Sequence, residues 1–169
     1  MSAPVELSSY DPEWPAKFEA EKACLKSVIG QWLQGSIEHV GSTAVLGLVA
    51  KPVIDIMVGV KSLDASRPAI DVLRLQGYQY FPYKPDVMHW FCKPSDAFRT
   101  HHLHLIPHES TLWQERIRFR DLLRSNQVLA SEYATLKQKL ATRYQYDREA
   151  YTQAKWPFIQ RVLNMVDDY

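Results

Sequence analysis

The chain has 169 residues and a net charge of +1. That length suits one domain with a sizeable core, and the near-neutral balance provides no global field favouring nucleic acid or an anionic membrane. No apolar run approaches the ~18 residues of a membrane-spanning helix, and Met1-Ser2-Ala3-Pro4-Val5-Glu6 lacks the basic start and apolar stretch of a secretion signal, so the expected location is the cytoplasm.

Residues 4–11 read as an extended lead-in. Asp11-Pro12 is a helix-start signal, with Asp as N-cap and Pro at the first helical position. Trp14, Phe18, Leu25, Ile29, Trp32 and Leu33 then recur at helical spacing, which predicts a helix over 12–33. Cys24 and Cys92 have no CxxC spacing and are expected to be buried free thiols. A strand is predicted over 36–40, followed by one or two helical turns at Ser42-Thr43-Ala44-Val45 and a loop to Pro52. Residues 53–60 are β-branched and apolar with one charge, Asp55, the pattern of a strand buried on both faces. A helix over 63–76 follows, with Asp64 as a candidate cap, then strands over 78–81, 87–93 and 98–106. Beyond Ser110 three helices are predicted, the second on Leu129, Tyr133, Leu136 and Leu140. The third uses Tyr151, Ala154, Phe158, Val162 and Val166, and Pro157 should kink or restart it. The layout is one domain over 1–169: an α/β core to about 108 and a helical extension over about 109–169. Its fold class is α+β.

Three groups of residues have the chemistry of a ligand site. A Gly41-Ser42 turn after a short strand offers backbone N–H groups, and Ser42 and Thr43 add hydroxyls, as a phosphate needs. The competing reading is an ordinary capped strand-to-helix turn. Asp55, an acid in an apolar strand, requires a cation or donor as partner. Lys51 is a candidate counter-charge or phosphate ligand, or a solvated loop lysine. In the strand over 98–106, alternation puts Phe98, Thr100, His102, His104 and Ile106 on one face and Arg99, His101, Leu103 and Leu105 on the other. His102 and His104 could therefore share one metal ion, or be hydrogen-bonded in a polar groove. Arg99, Lys93 and Arg120 are further phosphate candidates. Arg116, Arg120 and Arg124 share a helix face. No strand carries the aromatic–basic ladder of a nucleic-acid reader.

The stretches Tyr10-Asp11-Pro12-Glu13-Trp14-Pro15, His39-Val40-Gly41-Ser42-Thr43-Ala44-Val45, Lys51-Pro52-Val53-Ile54-Asp55-Ile56, His102-Leu103-His104 and Phe119-Arg120-Asp121-Leu122-Leu123-Arg124 together resemble the GrpB family of the nucleotidyltransferase superfamily. The resemblance spans nearly the whole chain. It implies a polymerase-β-like mixed sheet flanked by helices, with a helical C-terminal extension. It further implies that the Gly-Ser turn holds a triphosphate and that paired acids on the next strand hold two Mg²⁺ ions, with a third acid on a later strand. Gly41, Ser42 and Asp55 match that pattern. Met57 occupies the second acid position, where a thioether is no ligand for Mg²⁺, and the strand of His102 and His104 contains no acid. Glu38 or Asp86 would have to complete a two-metal site. Alternatively, Asp55, His102 and His104 form a one-metal set suited to Mn²⁺ or Zn²⁺ rather than Mg²⁺. Leu46 stands where the family usually has Pro.

The expected function is binding of ATP or another nucleoside triphosphate with a divalent metal, and transfer of a nucleotidyl group to an unidentified small acceptor. Asp55 would be catalytic and metal-binding; Gly41, Ser42, Thr43, Lys51, Arg99 and Arg120 would bind phosphate. The alternative is a non-catalytic nucleotide-binding or accessory module, linked to coenzyme A metabolism because some relatives of the family are fused to dephospho-coenzyme A kinase. A structural or interaction domain is the third reading.

Overall fold

The computed structural model describes residues 4–165. Five strands form one mixed sheet: β1 (Leu33–Val40), β2 (Ile54–Val60), β3 (Gln79–Phe81), β4 (His89–Pro94) and β5 (Arg99–Pro107). Their order is β1-β2-β5-β4-β3. β2 runs parallel to β5, and every other neighbouring pair is antiparallel. The six α-helices are α1 (Trp14–Ile29), α2 (Leu63–Ser66), α3 (Ala69–Leu75), α4 (Thr111–Ser125), α5 (Gln127–Arg143) and α6 (Arg148–Asn164). This is the α+β arrangement expected, with helices on both faces of the sheet and a three-helix extension.

The period-2 pattern of β2 and β5 decides which helices cover which face. Ile54, Ile56, Val58, Val60, Leu103 and Leu105 point to α1 and α3, where they meet Trp14, Phe18, Leu25, Ile29, Ile70 and Leu73 in the main core. Burying one such side chain fully stabilises the fold by roughly 1.5–3 kcal/mol. The opposite face carries Asp55, Met57, His102, His104 and Ile106. Here Met57, Ile106, Val40, Met88 and Trp113 form a second cluster under α4. A third cluster joins the loop after β1 to the extension: Val45 and Leu48 pack on Leu123, Leu129, Tyr133 and Val162. That contact places α5 and α6 beside the Gly41-Ser42 turn.

Local chemistry accounts for the boundaries that differ from expectation. The first helix begins at Trp14, with Pro15 in its first turn, and Asp11 instead accepts a hydrogen bond from Glu13 N at 2.9 Å in the preceding turn. It gives way to a 3-10 turn at Gly30–Trp32, and β1 starts at Leu33. Residues 63–76 form two helices, not one, because Pro68 cannot continue the first ladder. Ser62, not Asp64, caps α2 through Ala65 N at 3.0 Å. Ser110, Asn126 and Asp147 each cap one helix of the extension by accepting a backbone N–H. α6 is a single helix that runs through Pro157 without the expected restart; Val166, used to predict its pattern, lies outside the described residues. Both cysteines are free, but only Cys92 is buried; Cys24 is exposed.

Candidate functional site

The Gly41-Ser42 turn is tighter than expected. Ser42–Ala44 is a single 3-10 turn and not an α-helix, so it brings no extended helix dipole to a phosphate. Gly41 has φ 73°, and a Cβ there would collide with the Asp55 carboxylate. Glycine is required here twice over, for the left-handed backbone and for the close approach to Asp55. The Ser42 hydroxyl is half-buried and hydrogen-bonds Tyr133 of α5. Thr43 is buried, and its Oγ1 lies 2.8 Å from His39 Nε2. It braces the turn from below, which corrects the phosphate role expected for it. His39 stacks on Phe18. Burial lowers its pKa to about 4, with Arg124 and Arg120 acting in the same direction against Asp55.

His102 and His104 share one face, as alternation predicted, and Asp55 lies beside them. Asp55 Oδ1 is 3.1 Å from His102 Nδ1 and 3.6 Å from His104 Nε2. The outer nitrogen of each ring faces an arginine: Arg116 lies 2.9 Å from His104 Nδ1, and Arg99 lies 3.4 Å from His102 Nε2. Guanidinium only donates, so the outer nitrogen of each ring accepts, and the nitrogen on the Asp55 side is the N–H. The carboxylate receives one hydrogen bond, from His102 Nδ1; His104 Nε2, 3.6 Å away, is buried without a hydrogen-bond partner among the described residues. Burial alone would raise the Asp55 pKa; the two histidines beside it outweigh that and hold the carboxyl well below its ordinary range. Burial, followed by the Arg116 charge, lowers His104 to about 4.

This donor set does not suit the expected metal ion. Coordination would take the nitrogen that now carries the proton, force the proton to the outer nitrogen, and set it against an arginine N–H. An opposed buried donor pair costs about 1–3 kcal/mol. Met57 is fully buried among Val40, Met88, Ile106 and Trp113. Glu38 stands opposite Met57 in the sheet register, but its carboxylate is taken by Arg120 at 2.7 Å and Ser36 at 2.9 Å. Asp86 is exposed in the turn before β4. Among the described residues no group of three or more His, Cys, Asp or Glu side chains could hold a metal ion.

Two of the arginines expected at phosphate are spoken for by protein groups. Arg120 Nε donates to Asp121 at 3.0 Å, and its NH1 donates to Glu38 and to His39 O at 3.2 Å. It forms a strut between α4 and β1. Arg124 Nε similarly holds Ala44 O at 2.8 Å. Arg99 pairs with Asp96, lies over the Trp90 ring and reaches His102. Alternation put it on the opposite face, but Pro94 pairs with Arg99 and Lys93 with His101. Thr100 is the extra residue, and this bulge turns Arg99 back to the His102 side.

The unexpected part of the site comes from the extension. Lys51 and Lys155 both lie over the Tyr151 ring, at 5.4 Å and 4.6 Å from its centroid. Lys137 lies 4.9 Å over Tyr133 and donates to Val49 O. Lys137 is only 1% exposed. None of these three amines forms an ion pair with a carboxylate among the described residues. Burial lowers the pKa of Lys137 to about 7, helped by repulsion from Lys155 and Lys51. Burial and Lys51 lower Lys155 to about 8. Lys51 is lowered by burial as well, with Arg148 and Arg99 adding to that against Asp55. Asp55 is the opposing charge for all three. Lys51 was a sequence candidate; Lys137 and Lys155 were not. Their signal was positional: each falls four residues after a buried tyrosine, Tyr133 or Tyr151, on the inward stripe of its helix.

Two surface hollows lie away from this cluster. One of about 770 Å³ is lined by α5 residues with Phe158, and one of about 470 Å³ runs from His108 along α4 to Ser125. Neither contains Asp55 or the three lysines.

The chain resembles proteins already known. Residues 4–165 match the family model described as GrpB protein. The "Glutamate-rich protein GrpB" of Alkalihalophilus pseudofirmus is 36% identical over 95% of this chain and 94% of its own length. A dephospho-CoA kinase of Mycolicibacterium paratuberculosis is 29% identical, with a match spanning 99% of this chain but 47% of that enzyme. The crystal structure of the conserved protein GrpB from Enterococcus faecalis superposes with a TM-score of 0.85 at 30% identity, over 95% of this chain and 96% of that one. The Cid1 poly(U) polymerase, bound to Mg and 3'-dATP, superposes with a TM-score of 0.55 at 14% identity over 89% of this chain and 49% of the polymerase. That second likeness concerns the fold alone. With a family match over nearly every described residue and a solved GrpB structure sharing the architecture, this chain belongs to the GrpB family.

Proposed function

We propose that the face formed by the Gly41-Ser42 turn, Asp55, Lys51 and the lysines of α5 and α6, Lys137 and Lys155, binds the polyphosphate of a nucleoside triphosphate. The observation that carries this is the convergence of Lys51, Lys137 and Lys155, inward-facing amines with no carboxylate in ion-pair contact among the described residues. Crowded ammonium groups repel one another and are costly to desolvate. A bound polyanion removes both penalties, which is why such clusters mark ligand sites more often than structural ones. The fold likeness to a nucleotide-binding polymerase supports the same ligand class. Titration calorimetry with ATP tests it: binding at micromolar to sub-millimolar ATP is expected, and no heat at millimolar ATP overturns it.

Binding without nucleotidyl transfer is the reading the site favours, because Asp55 accepts a hydrogen bond from His102 and the buried Met57 replaces the second acid. The match to part of a dephospho-CoA kinase supports an accessory role beside an enzyme of coenzyme A synthesis. Transfer to a small acceptor is the second reading, favoured by the shared polymerase-like fold. Pyrophosphate release in the presence of candidate acceptors, abolished by Asp55→Asn, would establish transfer and displace the accessory reading.

A further inference from the structure

The lysine trio and the misfit of the metal site point to one conclusion when taken together. In the fold family, divalent ions neutralise the triphosphate and are held by acids on the strands. Here those acids are missing or engaged: Met57 is in the core, Glu38 is tied to Arg120, and Asp55 accepts from His102. His104 is held by Arg116 on its outer nitrogen, which leaves its N–H on the Asp55 side, 3.6 Å from the carboxylate and without a hydrogen-bond partner among the described residues. On the other side of the turn, positive charge is in excess. Lys51, Lys137 and Lys155 lie near Tyr133 and Tyr151, and Arg99 and Arg148 approach from the sheet and from the start of α6, sharing the single carboxylate of Asp96. A polyanion already neutralised by Mg²⁺ would bring a second set of cations to this cluster. A bare polyanion would not.

Resting on the proposed polyphosphate site, we propose that it binds a phosphoanhydride polyanion free of divalent metal, with Lys51, Lys137 and Lys155 supplying the charge that metal ions supply elsewhere in the fold. Recognition is then of the polyphosphate chain. Inorganic triphosphate and the triphosphate of a nucleotide are two sources of the same chemistry.

The test is calorimetry on the full chain with inorganic triphosphate, once with excess EDTA and once with saturating Mg²⁺ or Mn²⁺. The expected result is binding in EDTA at least as tight as with metal, because Mg²⁺ competes for the anion. Binding that appears only with metal overturns this inference and leaves the polyphosphate site standing. No binding under either condition overturns both. ATP under the same two conditions should show the same metal independence; ATP that requires Mg²⁺ overturns the inference. Lys155→Gln and Lys51→Gln, both at partly exposed positions, should each weaken binding in EDTA about tenfold, with the unfolding midpoint measured alongside. Unchanged affinity in both folded variants overturns the assignment.

Discussion

Two polar regions lie on either side of the Gly41-Ser42 turn, and they are built on opposite terms. On the sheet side, Arg99, His102 and Asp55 form a hydrogen-bonded chain, and Arg116 holds His104 beside it, with His104 Nε2 3.6 Å from the Asp55 carboxylate. On the helix side, Lys51, Lys137 and Lys155 crowd together with aromatic rings and a carbonyl for company, and among the described residues none has a carboxylate in ion-pair contact. A satisfied buried network rigidifies a fold and resists new ligands, whereas an unsatisfied one of like charge is a cost that a ligand removes. The contrast teaches that the candidate chemistry has moved. The strand acid Asp55 is tied into the scaffold, and the crowded positive charge comes from the loop before β2 and from the helical extension.

The comparison can be broken most directly at Asp55. Asp55→Asn should destabilise the protein by about 2 kcal/mol, since the hydrogen bond from His102 loses its charged acceptor. Urea unfolding measures it, and a loss under 0.5 kcal/mol would mean that the sheet-side network is not structural. Gly41→Ala should cost about 2 kcal/mol, from the left-handed backbone and the collision with Asp55. The helix side should respond in the opposite sense. Lys137→Met keeps the volume and removes a buried amine, so it should stabilise the free protein by about 1 kcal/mol while cutting triphosphate affinity. A lower melting temperature without ligand would contradict the idea that the trio is a cost.

pH separates the two sides more gently. Folding holds Lys137 at about 7 and Lys155 at about 8, below the ordinary lysine value near 10.4. Between those limits the unfolded chain binds more protons, so free-protein stability should rise with pH from about 7 to 10. Polyanion binding favours the charged amines and should weaken over the same interval, with proton uptake near pH 8. Calorimetry in two buffers of different ionisation enthalpy reads that uptake; identical enthalpies would count against it. His39 and His104, held at about 4 against about 6.5 when unfolded, should make free-protein stability rise from about pH 4 to 7 and add nothing to the proton uptake on binding near pH 8.

The sequence went far toward the sheet side of this picture. β-strand alternation placed His102 and His104 on one face, and the parallel register of β2 and β5 pairs Asp55 with His102 and Met57 with His104. It could not reveal the bulge at Thr100 that returns Arg99 to that face, because one unpaired residue leaves no mark in the local pattern. Nor could it show Arg116 and Arg120 as inward-facing braces. A run of arginines on an amphipathic helix reads the same whether it faces water or a carboxylate.

Local periodicity and capping chemistry by themselves determined the helices, the strands, the two-faced burial of β2 and the glycine at position 41, since each depends on neighbours within a few residues. Only the tertiary structure decided which charges meet. The docking of Val45 and Leu48 on Leu123, Leu129 and Tyr133 brings Lys137 and Lys155 to a turn about a hundred residues away in sequence. The partner of a charge is set by long-range packing, and with it the difference between a scaffold and a site.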